Sequence, residues 1–258
     1  MMVLRVNREM LSITLFVGLL LLSIAGFSCS SKDPEPKLTP GRIEEIAATL
    51  EHGIDVSCHA GEVNWDTIVS QGYSFAFVKA TEGDDLKDSL FDDHWANLKR
   101  CRITRGAYHF YVTEDDPDEQ ARFFIETVTL EPGDLAPVVD IELIGHGTTE
   151  GLSERFRTFL TRIEQHYGIK PIIYTSCNFW NAHLSDSFGD YPLWLAEYEV
   201  TSPRLPAGWQ TWHLWQWKEN ADLVGVEKGA DLSRVNRSLS ELTQLVVKTD
   251  PVVTNQER

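Results

Sequence analysis

The segment Pro137-Val138-Val139-Asp140-Ile141-Glu142-Leu143 is a short apolar run interrupted by two acids. Read as a strand it has a period of two, so Val139, Ile141 and Leu143 share one face, and Val138, Asp140 and Glu142 share the other. The first face suits packing beneath helices. The second sets two carboxylates side by side, and in a barrel it sets them at the mouth. Neighbouring acids among apolar walls desolvate and repel one another, so one holds its proton toward neutral pH while the other stays ionised. Glycosidic cleavage requires such a pair: an acid for the leaving oxygen, and an anion to support an oxocarbenium-like transition state. Asp-x-Glu is also common at solvated strand ends, so the surrounding chain has to decide.

Outward from this strand, at residues 136–143, similar runs recur at 53–56, 75–80, 103–110, 171–174, 193–196, 212–217 and 226–231. Helical periodicity lies between them at 65–71, 90–101, 117–129 and 152–167. Nearly all-apolar strands alternating with amphipathic helices indicate an α/β fold with a parallel sheet covered by helices. About eight strands in one domain of this length predict a closed, TIM-like barrel. After Tyr174 the strands are separated by irregular segments rich in Pro, Gly and Trp, so the second half should lack the regular helical ring. Ser238-Leu239-Ser240-Glu241 has capping-box form and predicts a last short helix.

Two further acids close the set. Asp55 ends the first predicted strand in Gly53-Ile54-Asp55-Val56-Ser57, and Asp231 ends the last in Gly229-Ala230-Asp231-Leu232. First and last strands are neighbours in a closed barrel, which brings Asp55 and Asp231 together on the C-terminal rim where such barrels keep their active sites. Either alone reads equally well as a turn-capping Asp. Trp194, Tyr198, Trp209, Trp212, Trp215 and Trp217 crowd the helix-poor third, and Tyr108-His109-Phe110-Tyr111 ends the third strand. Aromatic faces stack on pyranose rings, although some of these side chains must belong to the core. His109 has no second His or Cys at metal-ligand spacing, so no metal and no cofactor is expected.

The N-terminus carries a different signal. Arg5 and Arg8 precede a run of 17 uncharged residues, 11–27. This is the pattern of a secretory signal, and the run is short of the roughly 20 apolar residues of a permanent span. It stops at Gly26-Phe27-Ser28-Cys29, which resembles a bacterial lipoprotein signal with Cys29 as the lipidated residue. The expected organisation is a signal peptide over 1–28, a lipidated Cys and flexible tether over 29–50, a catalytic barrel over 51–248 and a loose tail over 249–258. The remaining cysteines, Cys58, Cys101 and Cys177, read as packing residues. A formal charge of −16 argues against a nucleic-acid partner, since an acidic surface repels phosphate backbones.

These motifs together resemble glycoside hydrolase family 25, the muramidases that include fungal and phage-type lysozymes. The matching segments are Gly53-Ile54-Asp55-Val56-Ser57, Phe77-Val78-Lys79-Ala80-Thr81-Glu82-Gly83 and Gly106-Ala107-Tyr108-His109-Phe110. They continue through Pro137–Glu142, Ile173-Tyr174-Thr175, Leu193-Trp194-Leu195-Ala196, Leu214-Trp215-Gln216-Trp217 and Asp231-Leu232, in the family's order. The resemblance implies a modified TIM-like barrel of five β/α units followed by three strands poor in helices. It implies cleavage of the β-1,4 bond between N-acetylmuramic acid and N-acetylglucosamine in peptidoglycan. Asp55, Asp140, Glu142 and Asp231 match the family's catalytic carboxylates, with Glu142 as general acid and Asp140 supporting the N-acetyl group or the cationic intermediate. Lys79, Glu82, Tyr108, Tyr174, Trp194, Tyr198, Trp215 and Gln216 are then expected to bind substrate. Ala60, Asn64 and Ser233 depart from the family's usual Gln, Asp and Asn, and Glu197 adds a carboxylate near the cleft. A competing reading is a catalytically weak, glycan-binding lipoprotein on the same fold. The expected setting is an exported monomer, lipid-anchored to the bacterial envelope and acting on glycan strands.

Overall fold

Strand and helix alternate in the structure where the hydrophobic periodicity alternates in the sequence. The computed structural model describes residues 39–146, 149–184, 187–236 and 242–248. The strands are β1 (His52–Val56), β2 (Phe75–Glu82), the short β3 (Leu86–Lys87), β4 (Thr104–Phe110), β5 (Val138–Asp140), β6 (Ile172–Ser176), β7 (Leu193–Ala196), β8 (Leu214–Ala221) and β9 (Ala230–Val235). The helices are α1 (Pro40–Thr49), α2 (Trp65–Ser70), α3 (Phe91–Cys101), α4 (Pro117–Thr127), α5 (Leu152–Tyr167) and α6 (Cys177–His183). Leaving out β3, a hairpin arm on β2, the strand order β1-β9-β8-β7-β6-β5-β4-β2 closes through a β1–β2 pairing into an eight-stranded barrel. Helices α2 to α6 follow β1, β2, β4, β5 and β6, while β7, β8 and β9 are joined without helices among the described residues. This is the modified TIM-like arrangement expected from the sequence, including the loss of helices in its second half.

The period of two divides the barrel strands between two apolar layers. Ile54, Val78, Val139, Ile141, Ile173, Leu193 and Leu195 face outward and pack with the inner faces of the helices, such as Leu98, Phe124, Phe156 and Phe159. Phe75, Phe77, Val138, Ile172, Trp194, Leu214 and Val235 fill the barrel. The interior is tight enough to need glycine at two places. A Cβ on Gly53 would lie 2.2 Å from the Phe75 ring, and one on Gly106 would lie 2.2 Å from the Phe77 ring. Trp194 then closes over Phe77 with ring centroids 4.6 Å apart. These rings form an aromatic floor across the barrel.

Several expected boundaries move. Residues 40–49, assigned to a tether, form α1 instead: Thr39 accepts a bond from the Arg42 N–H and Pro40 opens the helix. A proline in the first turn satisfies helix geometry as readily as it marks a linker. Ile43 and Ala47 are buried on the inner side of α1. Strand β5 stops at Asp140, so the alternation lapses and Leu143 is 61% exposed instead of packed under helices. The last strand begins at Ala230 rather than 226, because Val226 is taken up in an isolated bridge to Val63. Helix α6 and the hairpin arm β3 carry too few residues to show a period.

Cys58, Cys101 and Cys177 are all free thiols, with Cys177 buried. No described helix is long and apolar enough to cross a membrane. Cys29, the Ser238–Glu241 capping box and the 249–258 tail lie outside the described residues.

Candidate active site

The upper end of the barrel holds a cleft of about 280 Å³, and Asp55, Asp140, Glu142 and Asp231 all line it. Each arrives by a different route. Asp55 sits one residue before the end of β1, and Asp140 is the last residue of β5. Glu142 lies just beyond β5, still on the inward side. Asp231 reaches the rim in a way the sequence reading did not anticipate. It is near the start of β9, not its end, and β9 runs antiparallel to both neighbours. The reversal returns it to the same rim, where Asp55 and Asp231 are direct cross-strand partners. The turn that makes this possible uses Asn220 and Gly229, both with positive φ (46° and 102°). The Asn220 N–H then donates to Asp231 Oδ1 at 2.6 Å.

Of the expected substrate-binding residues, Lys79, Tyr108, Tyr174, Trp194 and Gln216 line the cleft. The other three do not. Trp215 cannot share a face with Gln216 on one strand. Its indole N–H donates to the Glu197 carbonyl at 2.7 Å, and the Arg234 guanidinium lies 4.0 Å over its ring. Tyr198 is one step back from the lining and donates to Gln216 Oε1. Glu82 lies outside the lining and holds the Lys79 ammonium at 2.5 Å. That contact depends on a bulge in β2: Lys79 pairs with Tyr108, whereas Thr81 pairs with His109 and Glu82 with Phe110. In a regular strand Glu82 would point away from Lys79; the extra residue returns it to the same side. Ser57, His59, Phe110 and Val138 also line the cleft and were not singled out as binding residues. Phe110 was within reach of the sequence, since it shares the parity of Tyr108.

The neighbouring His109 faces the other way, into the helix layer. Its Nε2–H donates to Gln120 Oε1 at 3.1 Å and its Nδ1 accepts from the Thr81 hydroxyl at 2.8 Å. Complete burial pushes its pKa down to about 3, so it is a neutral core histidine with both ring nitrogens in use. Glu197 is likewise committed: Oε1 takes the Arg204 Nε–H and Oε2 the Arg204 backbone N–H, each at 2.5 Å.

The four acids share one electrostatic condition. Burial is the largest influence on each and pushes all four above the ordinary carboxylate range. Mutual repulsion adds to it: Asp231 acts on Asp55, Glu142 acts on Asp140, and Asp231 acts on Glu142. Lys79 opposes this at Asp140 and Glu142. Asp140 and Glu142 therefore each keep a proton to higher pH than a solvated carboxyl would. One oxygen each of Asp55 and Asp140 is buried without a hydrogen-bond partner. Buried polar atoms are rarely left so, and both belong to the cleft lining. The arrangement supplies a proton donor, several anions and an aromatic floor in one small space.

Comparison with known proteins bears on the same segments. The pattern of Glycosyl hydrolases family 25 matches residues 54–226. The chain is 32% identical to the uncharacterized protein YegX of Escherichia coli strain K12 over 200 residues, 76% of this chain and 73% of that protein. It is 33% identical to Lysozyme M1 of Streptomyces globisporus over 210 residues, 76% of this chain and 71% of that one. Its fold matches the crystal structure of the bacterial lysozyme from Streptomyces coelicolor with a TM-score of 0.72 at 31% identity, covering 77% of this chain and 98% of the other.

Proposed function

Because this chain belongs to glycosyl hydrolase family 25, we propose that it is a lysozyme-type muramidase that hydrolyses the β-1,4 bond after N-acetylmuramic acid in peptidoglycan. The observation that carries this reading is the convergence of Asp55, Asp140, Glu142 and Asp231 on one cleft floored by Trp194 and walled by Tyr108 and Tyr174. In the proposed reaction Glu142 gives its proton to the glycosidic oxygen as the bond to the anomeric carbon breaks. Asp140 orients the substrate's N-acetyl group, whose carbonyl oxygen closes on the anomeric carbon. Water then opens that ring and returns a proton to the Glu142 carboxylate. Glu142 is suited to the first step by its position past the strand end, where a longer side chain can follow the leaving oxygen. Asp140, on β5 and deeper toward the aromatic floor, is suited to the second.

The reading is tested by the products. Digestion of purified peptidoglycan should release fragments whose reducing end, by mass spectrometry, is N-acetylmuramic acid. N-acetylglucosamine at that end would mean that the other bond is cut, and binding without turnover would mean a glycan-binding protein.

The proposal extends to location. Cys29 after a 17-residue apolar run supports export and lipid anchoring at the bacterial envelope. Cells expressing the protein should label it with a fatty-acid analogue, and Cys29→Ser should move it from the membrane to the soluble fraction. Unlabelled, wholly soluble wild type would refute the anchor.

A further inference from the structure

Gln216 is 2% exposed and lies between two acids and two phenols. Its Nε2 donates to Asp55 Oδ1 at 2.7 Å and to Asp231 Oδ2 at 3.2 Å. Its Oε1 accepts the Tyr174 hydroxyl at 2.8 Å and the Tyr198 hydroxyl at 2.5 Å. A primary amide has two N–H donors and two acceptor lone pairs. All four are therefore used inside the protein, and none remains for a sugar. The expected role of Gln216 as a substrate ligand does not fit this saturation.

The two ends of the amide have different consequences. With the N–H groups toward the acids, each of two adjacent carboxylates receives a donor while ionised. With the amide turned over, a carbonyl oxygen would face both carboxylates and neither could stay ionised beside it. Two hydroxyls that can donate to Oε1 hold the first orientation. We propose that Gln216 is a positioning residue, locked by Tyr174 and Tyr198, that spaces Asp55 and Asp231 and keeps them available as anions at the cleft. The proposal rests on the hydrolase reading for its catalytic consequence, but not for its structural one. Tyr198 is the informative probe, because it lies outside the cleft lining and its hydroxyl bonds to the amide on the side away from Asp55 and Asp231.

The groups that face this cluster come from every neighbouring strand. They are Lys79 from β2, Tyr108 from β4, Asp140 of β5 with Glu142 beyond it, Tyr174 from β6, Tyr198 beyond β7, Glu219 from β8 and Ser233 from β9, whose hydroxyl bonds to Asp55. Most are acidic or neutral, so the amide N–H groups are a principal counterweight to burial at Asp55. Their loss raises the pH at which Asp55 and Asp231 take up protons.

Full-length wild type, Tyr198→Phe, Gln216→Leu and the double variant should be compared on purified peptidoglycan. Tyr198→Phe should lower kcat about tenfold, the rate equivalent of one net hydrogen bond, with KM unchanged. Gln216→Leu should lower it further, and the double variant should lose clearly less than the two single losses combined, because the phenol acts mainly through the amide. The acid limb of the rate profile should move to higher pH in each variant. A rise in KM with kcat intact, additive losses in the double variant, or an unmoved profile would each overturn the proposal. A readout without substrate separates this from the enzymatic reading: the ¹³C carboxyl shifts of Asp55 and Asp231 should titrate at higher pH in Tyr198→Phe than in wild type. Unchanged titrations would overturn the proposal even in an active enzyme. Should Gln216→Leu fail to fold, Tyr198→Phe, which removes one oxygen, still decides.

Discussion

Replacing Glu142 by Gln should lower turnover of peptidoglycan by about 10²–10⁴-fold, the usual contribution of a general acid, while leaving glycan binding nearly intact. The substitution keeps shape and volume at a residue that lines the cleft beside Asp140 and Asp231. It removes the proton that the leaving oxygen needs, and also the carboxylate that would accept a proton from water in the second step. Two steps are therefore affected by one atom exchange. Because the side chain is partly exposed at the rim, the fold should not depend on it. Single-turnover rates and a glycan-binding isotherm on the same preparation check this. Turnover within a few-fold of wild type would remove Glu142 from the acid's role and direct attention to Asp140, the other member of the pair.

Asp140→Asn should have two effects of opposite sign. Turnover should fall by roughly 10²–10³-fold, the range found when one preorganised electrostatic group is removed from a transition state. Thermal stability at neutral pH should rise, because the substitution removes a buried charge that Glu142 repels. Asp140 is 8% exposed, one of its oxygens has no partner, and burial followed by Glu142 pushes it toward protonation. A carboxyl whose folded pKa lies above its unfolded value contributes fully to stability below the unfolded value, near 3.9, and loses that contribution as pH rises through the folded value. The native state thus bears the charge poorly at neutral pH, and an uncharged amide does not bear it at all. The advantage of Asp140→Asn should therefore shrink as the pH is lowered toward 4, where wild-type Asp140 is itself neutral. Thermal melts across that range check it. An activity loss without a neutral-pH stability gain would mean that Lys79 already compensates the charge. A stability gain without an activity loss would remove Asp140 from the mechanism. Trading stability for a poised site is a familiar property of enzymes.

Much of this site was legible in the chain, and the reason is local geometry. The alternation in Val138-Val139-Asp140-Ile141-Glu142 assigns Asp140 and Glu142 to one side wherever the strand is placed, and both line the cleft. The same rule could have removed Trp215 from the binding residues, since it and Gln216 are adjacent on β8 and cannot both face inward. Helix α5 was legible to its last residue because its buried positions, Leu152, Phe156, Phe159, Leu160, Ile163 and Tyr167, keep a strict helical spacing over 16 residues. Helix α6, with only 7 residues, offered no such run.

What the sequence alone determined was therefore periodic: where the longer strands and helices lie, which side of each is apolar, and which acids share a face. The tertiary structure decided everything that depends on how distant segments meet. It reversed β9, so that Asp231 reaches the rim from the start of its strand. It placed a bulge in β2 that brings Glu82 back to Lys79. It also joined Gln216 to Asp55 across 161 positions of chain, turning an expected sugar ligand into the centre of a closed hydrogen-bond network. Periodicity is written in each segment because a backbone of fixed pitch repeats it every few residues. Register and strand direction are not, because closing the barrel settles them for all eight strands together.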